Sequence, residues 1–299
     1  MRDNFADTPQ ESGFQGCPVL GVGLGLRKRL LEDTLAAMDV IDWVECTPEN
    51  HMGLGGKSLQ NLQRAAQIYP VVSHGVSLSL GSISPLNANY LAELEALFDW
   101  LDPPWFSDHL CFSEVDGEYF NDLIPLPRTP ETVQHVAGRI KQLQDRFQRP
   151  FLIENISQYL EFEEDSLRES DFLAAILETA DCGLLLDVNN AYVNHRNHGS
   201  DPKALIAALP LNRVVQIHVA GHTPQEDMVI DTHGETVCTD VWDLLRWTLA
   251  QQDCRPCGVM IERDSHFPPF EDLRSELMQL RAIWDESRQP VKELSHGYA

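Results

Sequence analysis

Gly183-Leu184-Leu185-Leu186-Asp187 is a short apolar run closed by a carboxylate. A run of this length and character suits a strand buried on both faces, and its last residue is a potential metal ligand. Five other runs share the form: Val71-Val72-Ser73-His74, Phe106-Ser107-Asp108-His109, Phe151-Leu152-Ile153-Glu154-Asn155, Val214-Val215-Gln216-Ile217-His218 and Gly258-Val259-Met260-Ile261-Glu262. If their sheet closes into a barrel, the six polar ends converge on one centre. Fold and chemistry are therefore predicted together.

Working outward, the pattern predicts strands over about 18–24, 41–46, 71–80, 106–112, 151–156, 183–190, 214–221 and 258–264. Amphipathic stretches fall between them, over about 28–38, 57–68, 88–101, 130–147, 170–180, 202–208 and 239–253, with a last one near 270–286. In the fourth, Val133, Val136, Ile140, Leu143 and Phe147 recur at three-to-four spacing behind Thr129-Pro130-Glu131-Thr132, which reads as a capped helix start. Ser170 and Asp201 are further candidate caps. About eight β-then-α units predict a single (β/α)₈ TIM barrel with its site at the strands' C-terminal ends. The rival, a doubly wound sheet, needs a glycine-rich phosphate turn. The one glycine cluster near a first strand, Gly21-Val-Gly-Leu-Gly25, lacks that spacing. The expected organisation is a flexible tail over 1–16, a catalytic barrel over 17–288 and a tail over 289–299.

The 299 residues carry 46 Asp+Glu against 22 Lys+Arg, a formal charge of −24. Such a field disfavours phosphate backbones, so nucleic acid is not expected as a partner. No apolar stretch nears the roughly 18 residues that span a membrane, and residues 1–16 lack a signal peptide's apolar core. Seven scattered cysteines suit free thiols in a reducing cytoplasm. Cys254 and Cys257 have C-x-x-C spacing but follow a helix and precede a strand, which suits a connecting loop on the face away from the ligands rather than a redox motif.

The candidate ligands are His74, His109, Glu154, Asp187, His218 and Glu262. A single strand-end histidine or carboxylate is usually a hydrogen-bonded or capping residue. Six together would bury several charges at prohibitive cost unless a cation compensates them. Asp231 and His233, two residues apart, point the same way on an extended segment, and Asn190 adds an amide oxygen. The set exceeds what one ion takes, so two or three ions are expected. Its imidazole and carboxylate mix suits Fe, Mn or Zn. Asp264 and His222 are the candidate proton carriers. His51, His195, His198 and His266 are weighed as substrate contacts or ordinary loop and cap residues, and His135 and His296 as surface groups.

Several phrases, in order along the chain, resemble the multinuclear non-haem iron-dependent oxidative enzymes, the family that includes the iron oxidase of methanobactin biosynthesis. They are Pro48-Glu-Asn-His-Met-Gly53, Ser73-His-Gly-Val-Ser-Leu-Ser-Leu-Gly81, Ser107-Asp-His-Leu110, Asn121-Asp-Leu-Ile-Pro-Leu-Pro127, Leu184-Leu-Leu-Asp-Val-Asn-Asn190, His218-Val-Ala-Gly-His222 and Ile230-Asp-Thr-His-Gly234. The resemblance implies two or three irons of mixed Fe(II)/Fe(III) state, O₂ as co-substrate, and oxidation of a residue, often cysteine, in a ribosomally made precursor peptide. It also implies a separate partner protein that presents the peptide's leader. By motif, His74, His109 and Glu154 would hold one iron. Glu154 would bridge to a second held with Asp187, His218 and Glu262, and Asn190, Asp231 and His233 would serve a third. Two positions depart from the family pattern: His51 replaces an aromatic residue, and Arg263 stands where Ile-Glu-Trp-Asp is usual. Both are expected on the substrate side. The alternatives are a divalent-metal barrel of the isomerase or endonuclease type, and a non-catalytic metal- or peptide-binding scaffold.

Overall fold

The computed structural model describes residues 13–53, 55–115 and 118–289. Eight parallel strands close into a barrel: β1 (Gly21–Gly25), β2 (Trp43–Cys46), β3 (Val71–Gly75), β4 (Phe106–His109), β7 (Phe151–Glu154), β8 (Gly183–Asp187), β9 (Val214–Ala220) and β12 (Gly258–Glu262). Each pairs in parallel with its neighbours, and β12 returns to β1. Two antiparallel hairpins, β5–β6 (Phe112–Val115, Glu118–Ile124) and β10–β11 (Thr223–Gln225, Met228–Ile230), extend the loops after β4 and β9. The helices are α1 (Leu31–Ala36), α2 (Lys57–Ala66), α3 (Ala88–Leu101), α4 (Pro130–Phe147), α5 (Glu169–Ala180), α6 (Val188–His198), α7 (Pro202–Ala207), α8 (Thr239–Leu249) and α9 (Phe270–Ser287). The protein is a (β/α)₈ TIM barrel, as the strand-end pattern predicts. No helix among the described residues is long and apolar enough to cross a membrane.

Strand alternation explains why one end of the barrel is apolar and the other polar. Trp43, Val72, Leu152, Leu185 and Met260 pack with Trp105 in a buried interior cluster. Two residues further along the same strands come Glu45, His74, Glu154, Asp187 and Glu262, all buried. On β9 the pairing register with β8 shifts, because Leu184 faces Val214 while Leu185 faces Gln216. Val215 is thus an extra residue that belongs to the interior cluster, beside the inward-facing Gln216 and His218. Gly23 on β1 makes room for Trp43, since a β-carbon there would overlap the indole.

Several boundaries differ from expectation. The strand expected over 183–190 stops at Asp187, whose carboxylate accepts the Asn190 amide (2.8 Å) and so begins α6. Helix α6 was not foreseen because it has no apolar stripe. Its buried face is instead amide-rich: Asn190 and Asn194 hydrogen-bond Asn155, Ile156 and Gln158. The strand expected over 71–80 ends at Gly75, where Asp108 Oδ2 accepts the Leu78 amide (3.0 Å) and folds the chain into a loop. Ser170 does not cap α5, which starts one residue earlier with Arg168 at its N-cap and no side-chain cap bond. Thr129 and Asp201 do cap α4 and α7.

The tails expected over 1–16 and 289–299 fall mostly outside the described residues, as does His296. Within 13–16, Phe14 packs against the interior cluster at the barrel's N-terminal end, under the Arg213 guanidinium 5.2 Å from its ring. Cys254 and Cys257 lie in the loop between α8 and β12 at that same end, buried, and all seven cysteines are free thiols.

Candidate metal centre

His74, His109, Glu154, Asp187, His218 and Glu262 meet at the C-terminal mouth of the barrel. His74 Nε2 and His109 Nε2 lie 3.0 and 3.2 Å from Glu154 Oε2 and 3.3 Å from each other. On the other side of Glu154, His218 Nδ1 is 3.5 Å from Oε1 and 3.0 Å from Glu262 Oε2. Potential ligand atoms of Glu154, Asp187, His218 and Glu262 all lie within 4.8 Å of one another. A further group joins His233, Glu262 and Asp264, with His233 Nδ1 3.3 Å from Glu262 and 3.2 Å from Asp264. Asp231 Oδ1 sits 2.8 Å from the other ring nitrogen of His233. Three adjacent pockets therefore share Glu154 and Glu262 as common walls.

Glu154 Oε2, Asp187 Oδ2, His218 Nδ1 and His233 Nε2 are buried without a hydrogen-bond partner. Each lies near other ligand atoms yet out of hydrogen-bond alignment with them. Buried polar atoms are rarely left so, and cations in the adjoining pockets would give them partners. The donor set of imidazoles and carboxylates without thiolates fits Fe, Mn or Zn.

Electrostatics point the same way. Burial pulls His109 down, but Glu154, Asp108 and Glu262 outweigh it and push the ring up to about 9. Burial likewise opposes protonation of His218 and His233, yet both rise well above an ordinary histidine, through Glu45 and Glu262 for the first and Asp231 and Glu262 for the second. Burial would raise Glu154, but His109, His74 and His218 hold it below the carboxylate range. Asp187 goes well up, through burial and then the charges of Glu154 and Asp231. Without a metal, protons do part of a cation's work in this cluster.

The surrounding residues set which ring nitrogens are free. His74 Nδ1 bonds Ser107 Oγ (2.9 Å), whose hydroxyl reaches the Ser73 carbonyl (3.4 Å), and His109 Nδ1 bonds the Gly75 carbonyl (3.1 Å). Carbonyls accept only, so His109 Nδ1 carries its proton and Nε2 faces the centre. Asn189 Nδ2 donates to Asp231 Oδ1 (2.7 Å), which leaves Asn189 Oδ1 to accept from His222 Nδ1 (2.7 Å). Asn190 is turned from the pockets toward the protein: its carboxamide accepts from Ser157 (2.7 Å) and donates to Asn155 (3.0 Å).

Other sequence candidates lie elsewhere. His51 is buried and bonded to Ser58, beside an external groove between α2 and α3. Arg263 points away from the mouth into the β12–α9 layer, where it pairs with Glu276 (3.0 Å). Arg263 does not face the mouth expected of it, because alternation on β12 turns residue 263 outward once Glu262 turns in. His195 bonds the Ser200 carbonyl and His198 the Gln158 carbonyl (2.6 Å), the ordinary structural role. His266 is exposed opposite Glu235, and His135 is exposed on α4 with a bond to the Ser82 carbonyl (2.9 Å).

Sequence reasoning missed Arg27, whose guanidinium binds Asp264 and reaches Glu262 (3.3 Å). It also missed Glu45, buried on β2 beside His218 (3.1 Å). The signal for Glu45 was present: it is a lone carboxylate inside the apolar run Trp43-Val44-Glu45-Cys46.

Relatives with close sequences include a UPF0276 protein of Anaeromyxobacter sp. (strain Fw109-5), 45% identical over 86% of this chain and 90% of its own length. Another, a UPF0276 protein of Pseudomonas aeruginosa PAO1, is 40% identical over 93% of this chain and 98% of its own. Among solved structures, an L-ribulose 3-epimerase superposes with a TM-score of 0.57 at 14% identity over 93% of this chain and 99% of that one. The 3-keto-D-glucoside 4-epimerase YcjR of E. coli does so with 0.55 at 12%, over 88% and 99%. At such identities the likeness is one of fold alone. The model of the family "RiPP precursor modification enzyme MbnB/TglH/ChrH" matches residues 21–285, across every strand of the barrel, and the chain belongs to that family.

Proposed function

We propose that the protein is an iron-dependent oxidative enzyme that uses O₂ to modify a residue, often cysteine, of a ribosomally synthesised precursor peptide. The observation that carries this reading is the set of orphaned ligand atoms on Glu154, Asp187, His218 and His233 in three adjoining pockets. His74, His109 and Glu154 would hold one iron, and Glu154, Asp187, His218 and Glu262 a second. His233 with Asp231, Glu262 and Asp264 would serve a third position, with Asn190 an outer contributor. Irons held there would supply the activation of O₂ by electron transfer.

The chain's own residues supply orientation and proton handling. Ser107 and the Gly75 carbonyl hold His74 and His109 with Nε2 toward the centre. His222 donates through Nδ1 to Asn189, so its Nε2 is a free acceptor, and burial keeps the ring neutral by lowering its pKa. That suits a proton acceptor beside the third pocket. Asp264, half-exposed and fixed by Arg27 and His233, would pass protons to solvent. The free thiols support a cytoplasmic setting. A leader-binding partner protein would present the peptide, and the net charge of −24 argues against nucleic acid.

The test is to incubate anaerobically purified, iron-loaded protein with peptides encoded beside its gene, then admit O₂. An Fe- and O₂-dependent mass change in one peptide is expected. Turnover of a sugar with Mn or Mg in the absence of O₂ would favour an isomerase reading instead, and tightly bound metal with no O₂ consumption a scaffold.

A further inference from the structure

We propose that Glu45 is a positioning residue that fixes the tautomer and charge of His218. The inference rests on the reading of His218 as a metal ligand. Glu45 is fully enclosed on β2, in the same inward register as the strand-end ligands, but it belongs to none of the ligand groups. A carboxylate buried beneath the centre costs several kcal/mol unless it is bound on its oxygens.

Its partners form a directed chain. The Trp105 indole N–H donates to Gln216 Oε1 (2.7 Å). An indole N–H is a donor only, so Gln216 must present its oxygen to Trp105 and its NH₂ to Glu45. Gln216 Nε2 then donates to Glu45 Oε2 (2.6 Å), and the same oxygen lies 3.1 Å from His218 Nε2. All four side chains are buried. An anionic acceptor there holds the His218 proton on Nε2 and leaves Nδ1 facing Glu154 and Glu262 with no hydrogen-bond partner. This is a carboxylate–imidazole–metal arrangement, which raises the ligand's basicity and favours the more highly charged metal state. The bland reading makes Glu45 and Gln216 a satisfied core network. In that network His218 Nε2 accepts from Gln216 (2.7 Å) and Nδ1 carries the proton.

The two readings differ in where one proton sits. In Zn(II)-loaded wild-type protein with ¹⁵N-labelled histidine, NMR should show His218 metal-bound at Nδ1 and protonated at Nε2. Competition with a chromophoric chelator should show Glu45→Gln binding Zn(II) at the Glu154–His218–Glu262 position about 10- to 100-fold more weakly. The metal-free variant should unfold at the wild-type temperature or above, and with iron the Fe(III)/Fe(II) potential should rise. Chelator affinity unchanged together with a destabilised metal-free variant overturns the inference while leaving the metal reading intact, whereas a proton on Nδ1 in the Zn(II)-loaded protein overturns it by removing His218 from the ligands. Wild-type protein that binds no Zn(II) or iron overturns both.

Discussion

Glu154 faces two pockets at once, with Oε2 toward His74 and His109 and Oε1 toward His218. On the proposed reading, Glu154→Gln disturbs both positions, whereas His74→Ala empties only the first. Metal analysis should therefore show a larger loss for Glu154→Gln, and peptide oxidation should fall by more than about 100-fold, the rate equivalent of a few kcal/mol. Proton competition gives a second residue-scale prediction. His109 is raised from 6.5 to about 9 in the metal-free protein. Its imidazolium therefore contributes stability that is complete below pH 6.5 and disappears as pH rises through about 9. Metal must displace that proton, so apparent affinity should climb between those limits, by at most about tenfold per pH unit for each proton released. Titrations at pH of about 6.5, 7.5 and 8.5 check the sign, and a flat profile would remove His109 from the site.

At the scale of elements, the β9 irregularity carries the most consequence. The extra residue Val215 adds an interior side chain beside the inward-facing Gln216 and His218. Deleting Val215 should restore simple alternation with Gln216 and His218 still opposite Leu185 and Asp187, so metal at the middle position should survive, read by metal content and chelator competition. Helix α7 offers a control. Asp201 accepts from the Lys203 and Ala204 amides, far from the ligand cluster. Asp201→Ala should lower stability by about 1 kcal/mol in denaturant unfolding without changing metal content. These elements also show what sequence could and could not reveal. The barrel was legible because six apolar runs end in a histidine or carboxylate, and α4 because its apolar stripe repeats cleanly. Helix α6 escaped because asparagines replace that stripe with hydrogen bonds to the 155–158 loop. Glu45 escaped because a mid-strand carboxylate resembles the polar face of a half-exposed strand. Arg263 was misplaced because alternation was not carried past Glu262.

For the whole molecule, the centre is an acidic pocket at the polar end of an otherwise apolar barrel. The fold's apolar layers, interior and beneath the helices, do not depend on the metal. Chelation should therefore lower the melting temperature without unfolding the chain. The loss corresponds to about 2.7 kcal/mol for a site that had been held at a hundredfold excess over its dissociation constant. On the proposed reading, one barrel mouth holds a cluster of irons shared through Glu154 and Glu262. The most direct test of that reading is the iron content and Mössbauer spectrum of anaerobically purified protein beside Glu154→Gln. About two or more irons per wild-type chain are expected, with magnetic coupling between neighbours, and loss of that coupling in the variant. Less than about one iron per chain, or a single uncoupled iron unaffected by Glu154→Gln, would contradict it.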